Sequence, residues 1–396
     1  MSQTEEVTAQ VLELASRLIA IPSRAGIDAP DPIIEFIVAW CAEHSLACRR
    51  LSHDALPVGI AIQVAASAGS SLCLNACVDT APFGDETAWR TPPVAAVVRD
   101  GRLYGRGAAD SKIAASIFLT LAANLARDGV LVRGTLHVLL DADEHTGAFR
   151  GVKSFVRTTK PLPNAVWLGY PGNHTIVAGS RGFLRGRIVV AGRSAHTGSK
   201  RKKGINAISR AAVLIQVLHG LPLPLESDAD FQFGPSLTIT TIHAGEGFSV
   251  IPDRCEMNVD IRVTPNVGAN ELRRLVEQSV EEFDRTSSSP SATTIEWEES
   301  WPAFRVPDDD PAIACLRAAA EPIFHRAIPT TVSGPSNIGN YLASLGVAAM
   351  AGFGVTYDNV HATDEWCDTA SIQPVYEVYR RAVLAFFEEV PATDPT

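Results

Sequence analysis

The chain is short of the features that would place it in several broad protein classes. Positive charge is in deficit: 34 Lys and Arg stand against 44 Asp and Glu, a formal net charge of −10. A nucleic-acid binder needs surplus cations to neutralise phosphates, so that partner is not expected. No long apolar run is present; the longest, Ile113 to Ala126, falls short of the ~20 residues that cross a bilayer, and no membrane partner is expected. Paired cysteines are missing too. The seven, at positions 41, 48, 73, 77, 255, 315 and 367, contain no CxxC and suit a reducing compartment better than a disulfide framework. Met1 to Glu6 is polar and acidic, without the basic start and apolar centre of a secretory signal. Together these absences lead to the expectation of a soluble cytoplasmic protein. One basic run, Lys200-Arg201-Lys202-Lys203, goes against the charge balance and reads as a solvated turn or as a funnel for an anionic substrate.

What is there is globular and large. At 396 residues the chain exceeds the ~250–300 at which single cores stop growing, so more than one domain is expected. Apolar periodicity predicts helices over Val7–Ile19, Asp31–His44 (Asp31 as its cap, Pro32 at its first position), Lys112–Asp128 and Val152–Thr158. Strand-like runs at Gly59–Val64, Ser71–Cys77 and Gly134–Leu140 alternate with them, which argues an α/β sheet. Near Ser180 the pattern changes to strand, helix, strand, strand, helix, strand, the order of a ferredoxin-like α+β unit. Helix Pro311–Ile323, the run Val347–Phe353 and helix Ile372–Glu389 resume the α/β character.

Acidic and histidine residues fall just after the predicted strands, where open α/β sheets place their ligands. Asp79 follows the strand ending at Cys77, and Asp110 closes the glycine-bearing turn Tyr104-Gly-Arg-Gly-Ala-Ala-Asp110-Ser-Lys112. Asp143-Glu144-His145 follows the strand ending near Leu140, and His361 lies in Val360-His361-Ala-Thr-Asp-Glu365. The stretch Val78-Asp-Thr-Ala-Pro82 … Asp100-Gly-Arg-Leu-Tyr-Gly-Arg-Gly-Ala-Ala-Asp110-Ser-Lys112 resembles the signature of the M20 metallopeptidase and amidohydrolase family. Asp143-Glu144, Gly192-Arg-Ser-Ala-His196-Thr, Val250-Ile-Pro-Asp253, Asp260-Ile-Arg262 and His361 … Glu365 are similar to its further motifs.

The resemblance implies an α/β catalytic domain with a central mixed sheet, formed by residues 1–180 and 305–396. Between them, residues 181–304 would form an inserted ferredoxin-like lid and dimerisation domain, and the protein a homodimer or larger homo-oligomer. It implies hydrolysis of a C–N bond by metal-activated water, with Glu144 as general base, Asp110 and His361 as metal ligands, and His145 in a ligand position. By the same resemblance His196 stabilises the developing oxyanion from a partner subunit, and Arg262 grips a carboxylate of a small-molecule substrate.

The departures from the pattern matter more. The family's His-x-Asp is Cys77-Val78-Asp79 here, its acidic Gly-Glu/Asp-Pro turn is Gly169-Tyr170-Pro171, and its asparagine is Ser249. One divalent transition metal, zinc or manganese, on Asp110, His145 and His361 is therefore expected, with the second position doubtful. Cys77 reads either as a small buried hydrophobe or as a thiolate ligand of a second metal. Tyr170 reads as a packing or substrate-contacting residue or as that metal's other ligand. Asp79 reads as a structural acceptor or as a carboxylate that orients a ligand. His145 and His196 as exposed loop histidines, and Arg262 as a salt-bridge partner, are the plainer alternatives. Altered ligands also leave open an aminohydrolase releasing ammonia from an activated, for instance nitroanthranilate-type, amine. A non-catalytic binding protein is a further alternative, disfavoured because a decayed site has no need of a general base.

Overall fold

Strand Ser71–Cys77 runs apolar almost throughout because both of its faces are covered, as parallel strands require. The computed structural model describes residues 3–65, 68–199, 203–287 and 290–390. It divides into two compact units, residues 1–179, 305–331 and 337–396 forming the first and residues 180–304 with 332–336 the second.

In the first unit six strands form one sheet, in the order Cys48–His53, Leu56–Ala65, Thr135–Asp141, Ser71–Cys77, Ala165–Leu168 and Ala348–Met350. Leu56–Ala65 is antiparallel to both of its neighbours, and the rest pair in parallel, so the sheet is mixed as expected. Helix Lys112–Asp128 packs against the sheet, buried on nearly every side and stopped by Gly129 in the left-handed conformation. Helices Gln3–Ile19 and Ile372–Glu389 pack against it in turn. Parallel pairing gathers the carboxyl ends at Cys77, Asp141 and Leu168 along one edge. A second, antiparallel sheet orders Tyr357–Asp358, Trp366–Asp368, Arg102–Tyr104 and Val97–Arg99. It sets residues 359–365 beside the turn that follows Tyr104, with Trp366 opposite Tyr104.

The expected elements are present with small shifts of their ends, and Ser71–Cys77, Lys112–Asp128, Arg254–Val263 and Ile372–Glu389 coincide with their predicted spans. Asp31 is a correction. Pro30 occupies the cap with no side-chain bond, and Asp31 sits one position inside helix Asp31–Glu43, where its charge still suits the helix start. The run Val347–Phe353 narrows to a strand at Ala348–Met350. Strands Cys48–His53 and Ala165–Leu168 went unread: the first carries Arg49 and Arg50 on a sheet edge, and the second is four residues long. Among the basic run only Lys203 lies within the described residues.

The second unit orders Ser236–Ala244, Arg254–Val263, Gly182–Ala191 and Thr294–Trp297 in an antiparallel sheet. Numbered along the chain this is the sequence 2-3-1-4 of the ferredoxin-like arrangement. Arg254–Val263 alternates strictly, burying Cys255, Met257, Val259, Ile261 and Val263 in a core shared with helices Ala207–His219 and Ala269–Thr286. No described helix is long and apolar enough to cross a membrane. Ile261 has no exposed surface. Ile261→Ala should therefore cost about 2–5 kcal/mol in urea denaturation. A loss under about 0.5 kcal/mol would mean that this core is not packed as described.

Candidate metal centre

The site begins with a turn that cannot hold itself together. Residues 105–111 leave the strand Arg102–Tyr104 and enter helix Lys112–Asp128; the N–H groups of Gly105, Arg106 and Ala108 bond to backbone carbonyls, and those of Gly107, Ala109 and Asp110 need another acceptor. Glu365 supplies one: its Oε1 accepts from the backbone of Gly107 (3.0 Å), Ala109 (2.9 Å) and Asp110 (3.2 Å). Its Oε2 accepts from Arg106 Nη1 at 2.6 Å, and both side chains are buried, Glu365 completely. Arg106 Nη2 donates to Pro82 O and His361 O, tying a third and a fourth segment to the same turn. Gly107 is required here, since its φ is +90° and a Cβ would lie 2.9 Å from the Lys112 side chain. Lys112 is itself buried and donates to Leu18 O at 2.9 Å and Ile21 O at 2.7 Å; burial pulls its amine down to about 7.

Asp110, fixed by that turn, meets His145 and His361. His361 Nε2 is 3.1 Å from Asp110 Oδ2, His145 Nε2 is 3.7 Å from the same oxygen, and the two Nε2 atoms are 3.3 Å apart. A tetrahedral ion with bonds of ~2.0–2.1 Å holds its ligand atoms about 3.3 Å apart, and the three separations lie within about 0.4 Å of that spacing. The donor set, two imidazoles and one carboxylate, is the kind that binds a divalent transition metal. Burial works against the charge of Asp110, but hydrogen bonds from the two histidines outweigh it and hold the carboxyl well below the usual carboxylate range.

The other oxygen of Asp110 is occupied. Oδ1 accepts from Ser111 Oγ at 2.6 Å and from the Cys77 thiol at 3.6 Å. Burial, reinforced by the nearby Asp110 charge, pushes Cys77 well up, so it stands there as a thiol donor. Tyr170 is likewise a donor, its hydroxyl 2.6 Å from Glu144 Oε1. Burial raises Glu144 to about 7, the charge of His145 opposing and that of Asp110 reinforcing the shift. Asp79 Oδ2 accepts from the His145 backbone N–H at 2.9 Å and lies 3.4 Å from His145 Nδ1, so this carboxylate faces His145. Cys77, Asp79 and His145 also form a cluster with converging atoms, on the far side of the same ring.

The model of peptidase family M20/M25/M40 matches residues 73–385, which is most of the chain. The chain belongs to this family. As an M20 member it is a metal-dependent hydrolase acting on C–N bonds. Among its relatives, succinyl-diaminopimelate desuccinylase of Xanthomonas campestris is 29% identical over 395 residues, covering 95% of this chain and 99% of that protein. The enzyme of the same name from Sulfurimonas denitrificans is 28% identical over 327 residues, 80% and 84% of the two chains. An M20 family metallo-carboxypeptidase from Sulfolobus solfataricus has the same fold, with a TM-score of 0.80 at 16% identity, covering 96% of this chain and 99% of that one.

Six of the site residues expected from the M20 motifs thus converge in the first unit with Tyr170: Cys77, Asp79, Asp110, Glu144, His145 and His361. His196, Ser249 and Arg262 belong to the second. There the two-residue strand Ala195–His196 pairs with Val250–Ile251, and Thr197 N donates to Ser249 O, so His196 and Ser249 are neighbours. The His196 ring is exposed and its Nδ1 accepts from Gly198 N. Arg262 is gripped by Asp260 (2.7 Å) and donates to Ser336 Oγ at 3.1 Å. Residues that sequence reasoning did not weigh are Arg106 and Ser111; the signal was present in the turn motif, but the pairing of Arg106 with Glu365 needs the fold. Glu365→Ala should strand the buried Arg106 cation and three backbone donors, lowering stability by about 3–5 kcal/mol. Urea denaturation and metal analysis of the variant test this, and unchanged stability with full metal content would refute it.

Proposed function

We propose that this chain hydrolyses an amide-like C–N bond of a small carboxylated substrate, with one divalent ion, zinc or manganese, on Asp110, His145 and His361. The observation that carries the single-ion reading is the split of Asp110. Its Oδ2 faces two imidazoles, whereas its Oδ1 faces the Ser111 hydroxyl and the Cys77 thiol. When bound, the ion would lower the pKa of a water and polarise the scissile carbonyl.

The chain's own residues supply the proton traffic. Glu144 and Asp110 are carboxyl groups driven in opposite directions, one up to about 7 and the other far down. That separation suits two roles: Asp110 stays an anionic ligand, and Glu144 takes a proton from water and returns it to the leaving nitrogen. Asp79, against His145, orients the ring that presents Nε2 to the ion. A carboxylated substrate is supported by Arg262, whose guanidinium is already oriented by Asp260 and Ser336, and by the relatives named for removing a succinyl group. His196 is assigned to oxyanion stabilisation.

The protein is proposed to act as a homodimer in the cytoplasm. Seven free cysteines support the compartment. In support of a dimer, the second unit exposes Ile208, Val213 and Val217 on helix Ala207–His219, beside the edge strand Ser236–Ala244. Sedimentation equilibrium should return twice the chain mass, and a monomer at micromolar concentration would remove the dimer.

Elemental analysis of protein purified without an affinity tag should find about one metal per chain, and His145→Ala should lose it. Two equivalents, or metal retained without His145, would overturn the single-ion site. Glu144→Ala should keep its metal and lose turnover of N-succinyl and N-acetyl amino acids by roughly 100-fold or more. The products decide the reaction: a carboxylic acid plus an amine supports the proposal, whereas free ammonia from an aromatic amine such as 5-nitroanthranilate indicates an aminohydrolase working with the same parts.

A further inference from the structure

Tyr170 is placed with more care than a packing residue needs. Gly352 leaves room for its side chain: a Cβ there would lie 3.1 Å from Tyr170 Cβ. One at Gly354 would fall 2.4 Å from the Tyr170 carbonyl oxygen, so two glycines of a neighbouring segment admit this residue at close range. On its other side Gly169 N donates to Asn75 O at 2.7 Å, and Gly172 N to Val355 O at 2.8 Å, fixing the backbone before and after it. The hydroxyl that results from this placement is directed at one oxygen only, Glu144 Oε1, at 2.6 Å. The other carboxylate oxygen, Oε2, lies 3.3 Å from His145 Nδ1, which makes no hydrogen bond.

We propose that Tyr170 is a positioning residue for the hydrolysis, its hydroxyl pinning Glu144 Oε1 so that Oε2 alone takes up and returns the proton. The inference rests on Glu144 being the base, and it accounts for each proton. Water loses a proton to Glu144 Oε2 as its oxygen bonds to the acyl carbon. The same proton passes from Oε2 to the leaving nitrogen as the C–N bond breaks. Tyr170 keeps its own proton throughout, because Oε1 accepts from it both in the carboxylate and in the neutral acid. Burial and the adjacent Glu144 charge push the phenol well above its ordinary value, in keeping with a hydroxyl that donates. A freely rotating carboxyl would offer the proton at two oxygens in turn, whereas one held by Tyr170 keeps a fixed orientation. Misplacement of a reacting group by an ångström is enough to slow a reaction by about 100-fold.

Three variants of the metal-loaded enzyme test this: Tyr170→Phe, Glu144→Ala, and a protein carrying 3-fluorotyrosine at position 170, a stronger donor of nearly the same shape. Turnover is followed as succinate release from N-succinyl-diaminopimelate, with metal content and a crystal structure of Tyr170→Phe alongside. Tyr170→Phe is expected to keep its metal, lose about 10- to 100-fold in kcat with KM changed less than about twofold, and show Glu144 displaced or in several conformers. The fluorinated protein should shift kcat by more than about twofold while KM and melting temperature hold, and it decides the matter if Tyr170→Phe folds poorly. In a Glu144→Ala background, Tyr170→Phe should have no further effect. Unchanged kcat in both Tyr170 proteins, or an unmoved Glu144 in the crystal, overturns the inference while leaving the base assignment intact if Glu144→Ala is inactive. Full activity of Glu144→Ala would remove the base itself, and this inference with it.

Discussion

The candidate metal centre hangs on a buried carboxylate that touches none of the proposed ligand atoms. Glu365 accepts three backbone N–H groups and the Arg106 guanidinium, all away from solvent. A buried ion pair of this kind adds little net stability over an apolar filling, because desolvating two charges offsets their attraction. Its value lies in specification: the turn 105–111 has one conformation in which all these donors are satisfied, and that conformation aims Asp110. The same contacts carry His361, since Arg106 also binds its carbonyl and the small antiparallel sheet holds its loop in register. Two of the three proposed ligand atoms are therefore placed by one carboxylate.

The third, on His145, depends on a different device. The loop after Thr135–Asp141 is folded around its own acids: Asp141 accepts from Asp143 N and Val152 N, and Asp143 from Thr146 Oγ1 and Arg150 N. Gly151 permits this, because a Cβ there would lie 2.5 Å from the Asp141 carboxylate. Asp79, from the next strand, then holds the His145 backbone. Glu144 and His145, adjacent in sequence, point their functional atoms at different neighbours, Tyr170 and Asp110 respectively. Three strand ends of the sheet, at Cys77, Asp141 and Leu168, thus lead into the site, and the parallel register of Ser71–Cys77 with Thr135–Asp141 sets the spacing of the first two.

Much of this was legible in the chain itself. The β-αβ-like alternation, the change of pattern near Ser180 and the strict alternation in Arg254–Val263 follow from burial, which acts on hydrophobicity directly. Asp110, Glu144, His145 and His361 stood out because strand ends are where side chains escape the ladder and can meet. What could not be read was pairing across long separations. Nothing local in Arg106 announces Glu365, 259 positions on, and nothing in Tyr170 announces a hydroxyl aimed at Glu144. Two short strands were lost for other reasons: Cys48–His53 carries Arg49 and Arg50 on the sheet edge, and Ala165–Leu168 is only four residues long. Asp31 misled because an acid before a proline looks like a cap, whereas Pro30 already starts the helix.

The first unit is built from both ends of the chain around an insertion of more than a hundred residues, and His361 reaches Asp110 across a separation of 251 positions. Closing so long a loop is entropically only a little dearer than closing a shorter one, but it imposes an order in time. During synthesis the ribosome delivers Asp110 and His145 long before His361 and Glu365 exist, with residues 180–304 emerging between them. The three proposed ligands, Asp110, His145 and His361, can therefore meet only once residue 361 has been made. A chain that stops short of His361 would lack one of those three proposed ligands.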